Sequence, residues 1–327
     1  MSTNSFWKTI GRATLGSAAL LVALAGSATA QEYPTKPIKV IVPFAAGGGT
    51  DVIARIWGDV MSARLKQRLI IENQGGGNGA PGTLAGIKAN PDGYTLVMGV
   101  ASTMAINPHM MKGIGYQATD LQPVAMLAFS PWLMAASAKV PYKTVPEMIA
   151  YAKANPGQVT MGSWTATGEI GRKALAMRAG IEIVSVPYAG SAAAMTDLVA
   201  GRAALALLDI SAALPFLQSG DVRALAMTSS QRTRLLPDVP SITEAGIKDY
   251  EVTSFVAVFA PLKTPKEMVD KLNRETNAAL ATPEVSKKFV DLGAEILNWD
   301  TAKLAQFVAD ENRRWAAMVK ETGSEPK

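Results

Sequence analysis

Apolar side chains along this chain recur first at every second position and then at every third or fourth, and the switch between the two periods is repeated many times. The clearest instance is residues 38–55. Ile38, Val40 and Val42 alternate with Lys39, Ile41 and Pro43 in a β-branched run, which Gly47, Gly48 and Gly49 interrupt. Val52, Ile53, Ile56, Trp57, Val60, Met61 and Leu65 then mark one apolar helix face. The pattern predicts a strand, a tight turn and a helix over 50–68, with Thr50 as N-cap, Asp51 in the first turn and Trp57 in the core.

The theme repeats downstream. Residues 69–72 predict a second strand, and a second glycine-rich turn at 74–82 leads to a helix as far as 89 with Pro81 at its first position. Pro91-Asp92-Gly93 predicts a turn, 94–98 a third strand, and 99–108 a loop carrying Ser102, Thr103 and Asn107. Three strand-to-helix junctions then share one edge of a parallel sheet, the edge at which open α/β sheets bind ligands. Two apolar runs, 121–128 and 132–137, are separated by Ser130-Pro131, which predicts a crossing into a second domain.

In that domain the spacing predicts helix 145–154, strand 159–163 and a turn opening at Ser163, followed by a helix to 179. Strand 181–186, a turn at 187–191 with Ser191 capping helix 192–200, strand 205–209, a helix to 218 and strand 222–228 complete the repeat. Residues 251–261 predict a strand returning to the first domain, and the chain closes with helices over 266–281, 283–292 and 302–322, plus a short strand near 295–297. Phe307 and Trp315 lie on apolar faces of the last helix and read as packing residues. The fold class is α/β.

The first 30 residues stand apart. Lys8 and Arg12 precede an apolar run over 13–25, and Ala28-Thr29-Ala30 has the small-x-small form of a signal peptidase site. Export with cleavage after Ala30 is expected. A membrane anchor needs about 20 apolar residues, and this run is shorter and holds Gly16 and Ser17. The 327 residues suggest roughly two domains. With no cysteine there is no disulfide, thiol catalysis or cysteine-ligated zinc, and a single histidine, His109, argues against a histidine-based metal site. His109 itself reads as a surface turn residue. The net charge of +5 is spread along the chain and leaves no nucleic-acid footprint.

The candidate chemistry sits in the turns. Gly47, Gly48 and Gly49 can take positive φ, so their N–H groups can converge on an anion beside the positive end of the following helix dipole; a plain βα turn is the alternative. A P-loop would need lysine before Thr83, and none stands there, so nucleotide binding is disfavoured and no cofactor is expected.

Blocks 42–55 (VPFAAGGGTDVIAR), 70–85 (IIENQGGGNGAPGTLA), 90–99 (NPDGYTLVMG), 186–201 (VPYAGSAAAMTDLVAG), 222–246 and 259–265 occur in order over essentially the whole exported chain. Together they resemble the Bug family of periplasmic solute receptors, the binding components of tripartite tricarboxylate transporters. The resemblance implies a two-lobed Venus flytrap of the periplasmic-binding-protein type, with lobe 1 at 31–130 plus 252–327, lobe 2 at 131–251, and a small organic acid in the cleft. It implies a monomer that serves membrane permease subunits and catalyses nothing. Its ligand loops match Phe44, Ala46, Gly47, Gly48, Thr50 and Asp51, then Gly79 and Ala80, then Ser102 and Thr103. In lobe 2 they match Ser163, Trp164, Thr165, Thr167 and Gly168, then Ala189 and Gly190, and finally Asp209. Such loops hold carboxylates with backbone amides, hydroxyls and bridging waters instead of a dedicated arginine.

Two departures stand out. Trp164 occupies a place where the family has a small residue, and Gln74 one where it has arginine. Trp164 either fills space within the loop or lines the pocket and stacks on a flat ligand. Two other functions compete with transport. A sensory receptor would use the same fold; a secreted hydrolase could use Ser163 and Asp209, but His109 lies in the other domain and no Gly-x-Ser-x-Gly surrounds Ser163.

Overall fold

The computed structural model describes residues 33–188 and 191–325, so the predicted export segment and the candidate residues Ala189 and Gly190 lie outside the described residues. The elements considered below belong to the compact unit Pro37–Lys327. They begin with β1 (Ile38–Val42), α1 (Gly49–Leu65), β2 (Leu69–Asn73), α2 (Ala80–Ile87) and β3 (Thr95–Val100). β1 pairs in parallel with β2 on one side and β3 on the other, which puts the three following loops on one sheet edge. The last of those loops is helical rather than irregular: Ser102–Ile106 forms a π-helical turn continued by a helical turn over Asn107–Met110. α1 stops three residues earlier than its apolar spacing predicts, because Lys66 takes a left-handed conformation with φ 52°.

β4 (Leu121–Ser137) is one 17-residue strand where the sequence suggested two runs. α3 (Val145–Ala154), β5 (Thr160–Ser163), α4 (Ala166–Ala179), β6 (Val184–Pro187), α5 (Ser191–Ala200), β7 (Leu205–Asp209), α6 (Ile210–Ser219) and β8 (Val222–Met227) follow. α5 begins at Ser191, and its capping contacts lie outside the described residues. β9 (Thr253–Pro261), α7 (Lys266–Leu280), α8 (Pro283–Asp291) and α9 (Thr301–Glu321) complete the chain. The expected strand near 295–297 is a single bridge between Phe129 and Glu295.

The sheet is mixed, in the order β2-β1-β3-β9-β4-β7-β5-β6, with β8 also on β4. β4 changes partners along its length. Leu121 to Pro131 pairs antiparallel with β9, whereas Trp132 to Ala136 pairs with β7. Pro131, which has no N–H to give a ladder, stands at that changeover. The two crossings are tied together by a buried hydroxyl: Thr228 Oγ1 lies 3.1 Å from Trp132 N, 2.8 Å from Trp132 O and 2.5 Å from Val252 O. Arg314 of α9 adds a second tie, donating to the Glu251 carbonyl and, at 3.2 Å, to Thr253 Oγ1.

Two cores belong to single halves and a third spans both, where Ala105, Ile106 and Trp315 join the cluster around Trp132 and Met134. Ile41, Val97, Met126, Phe255 and Phe259 pack with Leu304 and Val308 of α9 beneath the first sheet half. In the second half alternate residues of β4 face two clusters, Trp132 and Met134 joining Leu207 and Ile170 while Leu133 and Ala135 join Leu208 and Met195. Trp57 and Trp315 are buried as packing residues, and their indole N–H groups are satisfied by Thr276 Oγ1 at 3.1 Å and Glu311 Oε2 at 3.3 Å. Among the described residues, no helix is long and apolar enough to cross a membrane.

Candidate ligand-binding site

The glycine-rich turn before α1 is built differently from a three-amide anion cradle. Only Gly47 takes positive φ, at 83°; Gly48 is the N-cap with φ −76° and ψ 164°, so Thr50 is not the cap. Asp51 reaches back and accepts the Gly47 N–H at 2.8 Å. The same carboxylate accepts from Arg55 at 2.9 Å and from Asn73 Nδ2 at 2.9 Å, while Asn73 also donates to the Phe44 carbonyl. Burial alone would raise the Asp51 pKa, but the Arg55 guanidinium, the Gly47 N–H and the Asn73 amide together hold it below the usual aspartate range. The carboxylate at this helix start is therefore the protein's own.

The two other first-half loops are locked onto this one. Gly79, at φ 85°, passes so close to its neighbours that a Cβ there would lie 2.7 Å from Thr103 Cγ2 and 3.2 Å from the Phe44 ring. Thr83 Oγ1 donates to the Gly79 carbonyl, and Asn107 Nδ2 donates to the Asn78 carbonyl at 2.9 Å. Thr103 is fully buried and spends its hydroxyl on Val100, so it braces the loop instead of facing a ligand. Tyr116 closes the bundle by donating to the Thr103 carbonyl.

In the second half, Thr165 caps α4 by accepting the Gly168 N–H at 3.0 Å. Glu169 in the first turn is paired with Arg172 and accepts from Ser185. Burial opposes its charge, but these partners hold its pKa below the ordinary value. Ser163 is buried, and Gly168 packs close to it and to the Trp132 ring. Asp209 ends β7 directly opposite Trp132 in the antiparallel register, so the two side chains share one sheet face. Protein packed around its carboxyl raises its pKa above the ordinary aspartate value, toward the neutral form.

A cavity of about 250 Å³ collects residues from both halves. It is smaller than the roughly 300–1,000 Å³ of pockets for drug-sized ligands. Of the residues singled out in the sequence, Phe44, Thr50, Ser102, Trp164, Thr165 and Thr167 line it. Ala46, Gly47 and Gly48 are exposed outside it, and Asp51, Gly79, Ala80, Thr103, Ser163, Gly168 and Asp209 stand behind or beside the lining. Trp132 and Ser254 were not anticipated, because each lies in an apolar strand run with no local ligand signal; Asn78, Val100, Ala101, Asn107 and Ala166 complete the wall. Trp132 carries a further anomaly. Its Nε1 is buried without an acceptor among the described residues, a state that costs about 1–3 kcal/mol.

A larger depression of about 1040 Å³ lies between the segment 108–123 and α9, and includes His109, whose Nε2 is 3.1 Å from Asn312 Oδ1. It draws on the first half alone and contains none of the strand-end glycine loops. Among the described residues, no group of three or more acidic or histidine side chains is arranged to hold a metal.

Comparison with known proteins bears on this geometry. Residues 53–324 match the family model described as "Tripartite tricarboxylate transporter family receptor". The chain is 34% identical over 315 residues to "Protein BugT" of Bordetella pertussis, covering 94% of this chain and 97% of that one. It is similar to the solved R. palustris protein with adipate, at 32% identity and TM-score 0.80 over 90% of this chain and 100% of that chain. It is also similar to MatC from Rhodopseudomonas palustris with bound malate, at 30% identity and TM-score 0.75 over 88% of this chain and 100% of the other.

Proposed function

The chain belongs to the receptor family of tripartite tricarboxylate transporters, and from that premise we propose that it captures a small organic acid in the cavity between its two halves. It is a solute receptor of the two-lobed periplasmic-binding-protein fold, not an enzyme. The observation that carries the choice of site is the convergence there of neutral hydrogen-bonding side chains from both halves: Thr50, Asn78, Ser102 and Asn107 from one, Thr165 and Thr167 from the other. Two similar receptors were solved with dicarboxylates, which supports a carboxylate ligand here.

We assign the lobe boundaries to Ser130-Pro131, where β4 exchanges β9 for β7 as its partner, and to Glu251-Val252, just before the chain enters β9. Ligand favours the arrangement in which both sets of contacts are made at once. The exported form starts after Ala30, acts as a monomer and delivers its ligand to the membrane subunits of the transporter.

A thermal-shift screen of the exported protein against mono-, di- and tricarboxylates tests the proposal. A true ligand at one hundred times its Kd adds about 2.7 kcal/mol to stability and raises the melting temperature accordingly. Stabilisation by neutral solutes alone, with no response to any carboxylate, overturns it. N-terminal sequencing of the exported protein tests cleavage after Ala30.

A further inference from the structure

Three aromatic side chains line the cavity, Trp132 and Trp164 from the second half and Phe44 from the first. The two indoles are held from opposite faces of the same sheet edge. Trp132 belongs to the cluster containing Met134, Leu207 and Ile170, whereas Trp164 packs on the cluster containing Leu133, Leu208 and Ile210. Each ring is thus backed by its own core and presented to the cavity with little side-chain freedom left to lose on binding. Trp164 therefore does both things its position allows: it packs, and it forms wall.

The cavity wall is uncharged: no lining residue carries a charge. Of the acidic groups at the loop ends, Asp51 is paired with Arg55 and Glu169 with Arg172. The first half offers Thr50, Asn78 and Ser102 as neutral donors, and the second half sets two indoles beside the hydroxyls of Thr165 and Thr167.

Resting on the carboxylate-receptor reading above, we propose that the preferred ligand is a planar aromatic or heteroaromatic monocarboxylate. Its carboxylate lies toward Thr50, Asn78 and Ser102, and its ring against Trp132 and Trp164. A flat uncharged ring suits the indole faces, which gain most from offset or edge contacts with another ring. A dicarboxylate would have to press its second charge against this aromatic wall, where no lining cation compensates it.

The test is calorimetric titration of the exported protein with benzoate, adipate and malate in one buffer. Benzoate is expected to bind at least tenfold more tightly than either diacid. Trp164→Ala should lower the benzoate-to-adipate affinity ratio about three- to tenfold. If Trp164→Ala melts below the assay temperature, Trp164→Leu keeps the apolar backing without the ring face and should show the same shift in ratio. Tighter binding of a diacid than of benzoate, or equal weakening of both ligands by Trp164→Leu, overturns the aromatic preference and leaves carboxylate capture standing. Failure of all three acids to bind folded protein also overturns the inference, and the broader carboxylate screen then decides the fate of the receptor reading.

Discussion

The loops before α1 and before α4 occupy equivalent places, each leading from a strand end into a helix start, yet they are fixed by different chemistry. The α1 loop is held by a charge-assisted network in which one buried carboxylate, Asp51, gathers Gly47, Arg55 and Asn73. The α4 loop is held by a neutral hydroxyl cap, Thr165, and by the seating of Trp164 on a hydrophobic core. Such an internal anion stabilises a helix start and at the same time uses up the amide that could have met a ligand. The first half therefore contributes to the cavity mainly through side chains carried on a rigid frame, and the second through a helix start and aromatic walls.

The strongest blow to that frame is Gly79→Ala. A left-handed residue with a Cβ costs about 1–2 kcal/mol, and the 2.7 Å approach to Thr103 Cγ2 adds overpacking strain of about 1–3 kcal/mol. Carboxylate affinity should fall tenfold or more as Phe44 and the Asn78 loop are displaced, measured by calorimetry on protein whose fold is checked by circular dichroism. Unchanged affinity would mean that the three loops do not act as one unit.

Asp51→Asn comes next. Loss of a charge-assisted network at a buried site should cost about 1.5–3 kcal/mol, read as a lower midpoint in urea. Because the Asp51 pKa is lowered on folding, its contribution is complete above the ordinary value of 3.8 and is lost as pH falls below it. Wild-type protein should consequently lose more stability than Asp51→Asn between pH 5 and about pH 3. Parallel curves would show that Asp51 is not the organising charge.

Thr165→Ala should cost about 1 kcal/mol through the lost cap, with Thr165→Ser restoring most of it. A loss that Ser fails to restore would assign the effect to packing. The smallest effect belongs to Gly48→Ala: at φ −76°, with its nearest contact the Ala45 carbonyl at an ordinary 3.5 Å, it should stay within about 0.5 kcal/mol and leave affinity within twofold. A large loss there would restore a direct role for the glycine triplet and erase the contrast between the two loops.

What the sequence determined by itself was the succession of strands, glycine-rich turns and helices, the likeness to a receptor family, and the packing roles of Trp57 and Trp315. These are legible because apolar period, turn residues and motif blocks are local properties of the chain. The tertiary structure alone decided that β9 runs antiparallel to β3 and to the first part of β4, since pairing direction depends on which distant strands meet. It also decided which neighbours claim each loop group: Gly47 gives its N–H to Asp51, Thr103 turns inward to Val100, and Trp132 and Ser254 emerge from apolar strands into the cavity wall. A cavity assembled from residues 44, 78, 102, 132, 164 and 254 has no local spacing to betray it, because its members are brought together only by the order of strands in the sheet and by the two crossings that join its halves.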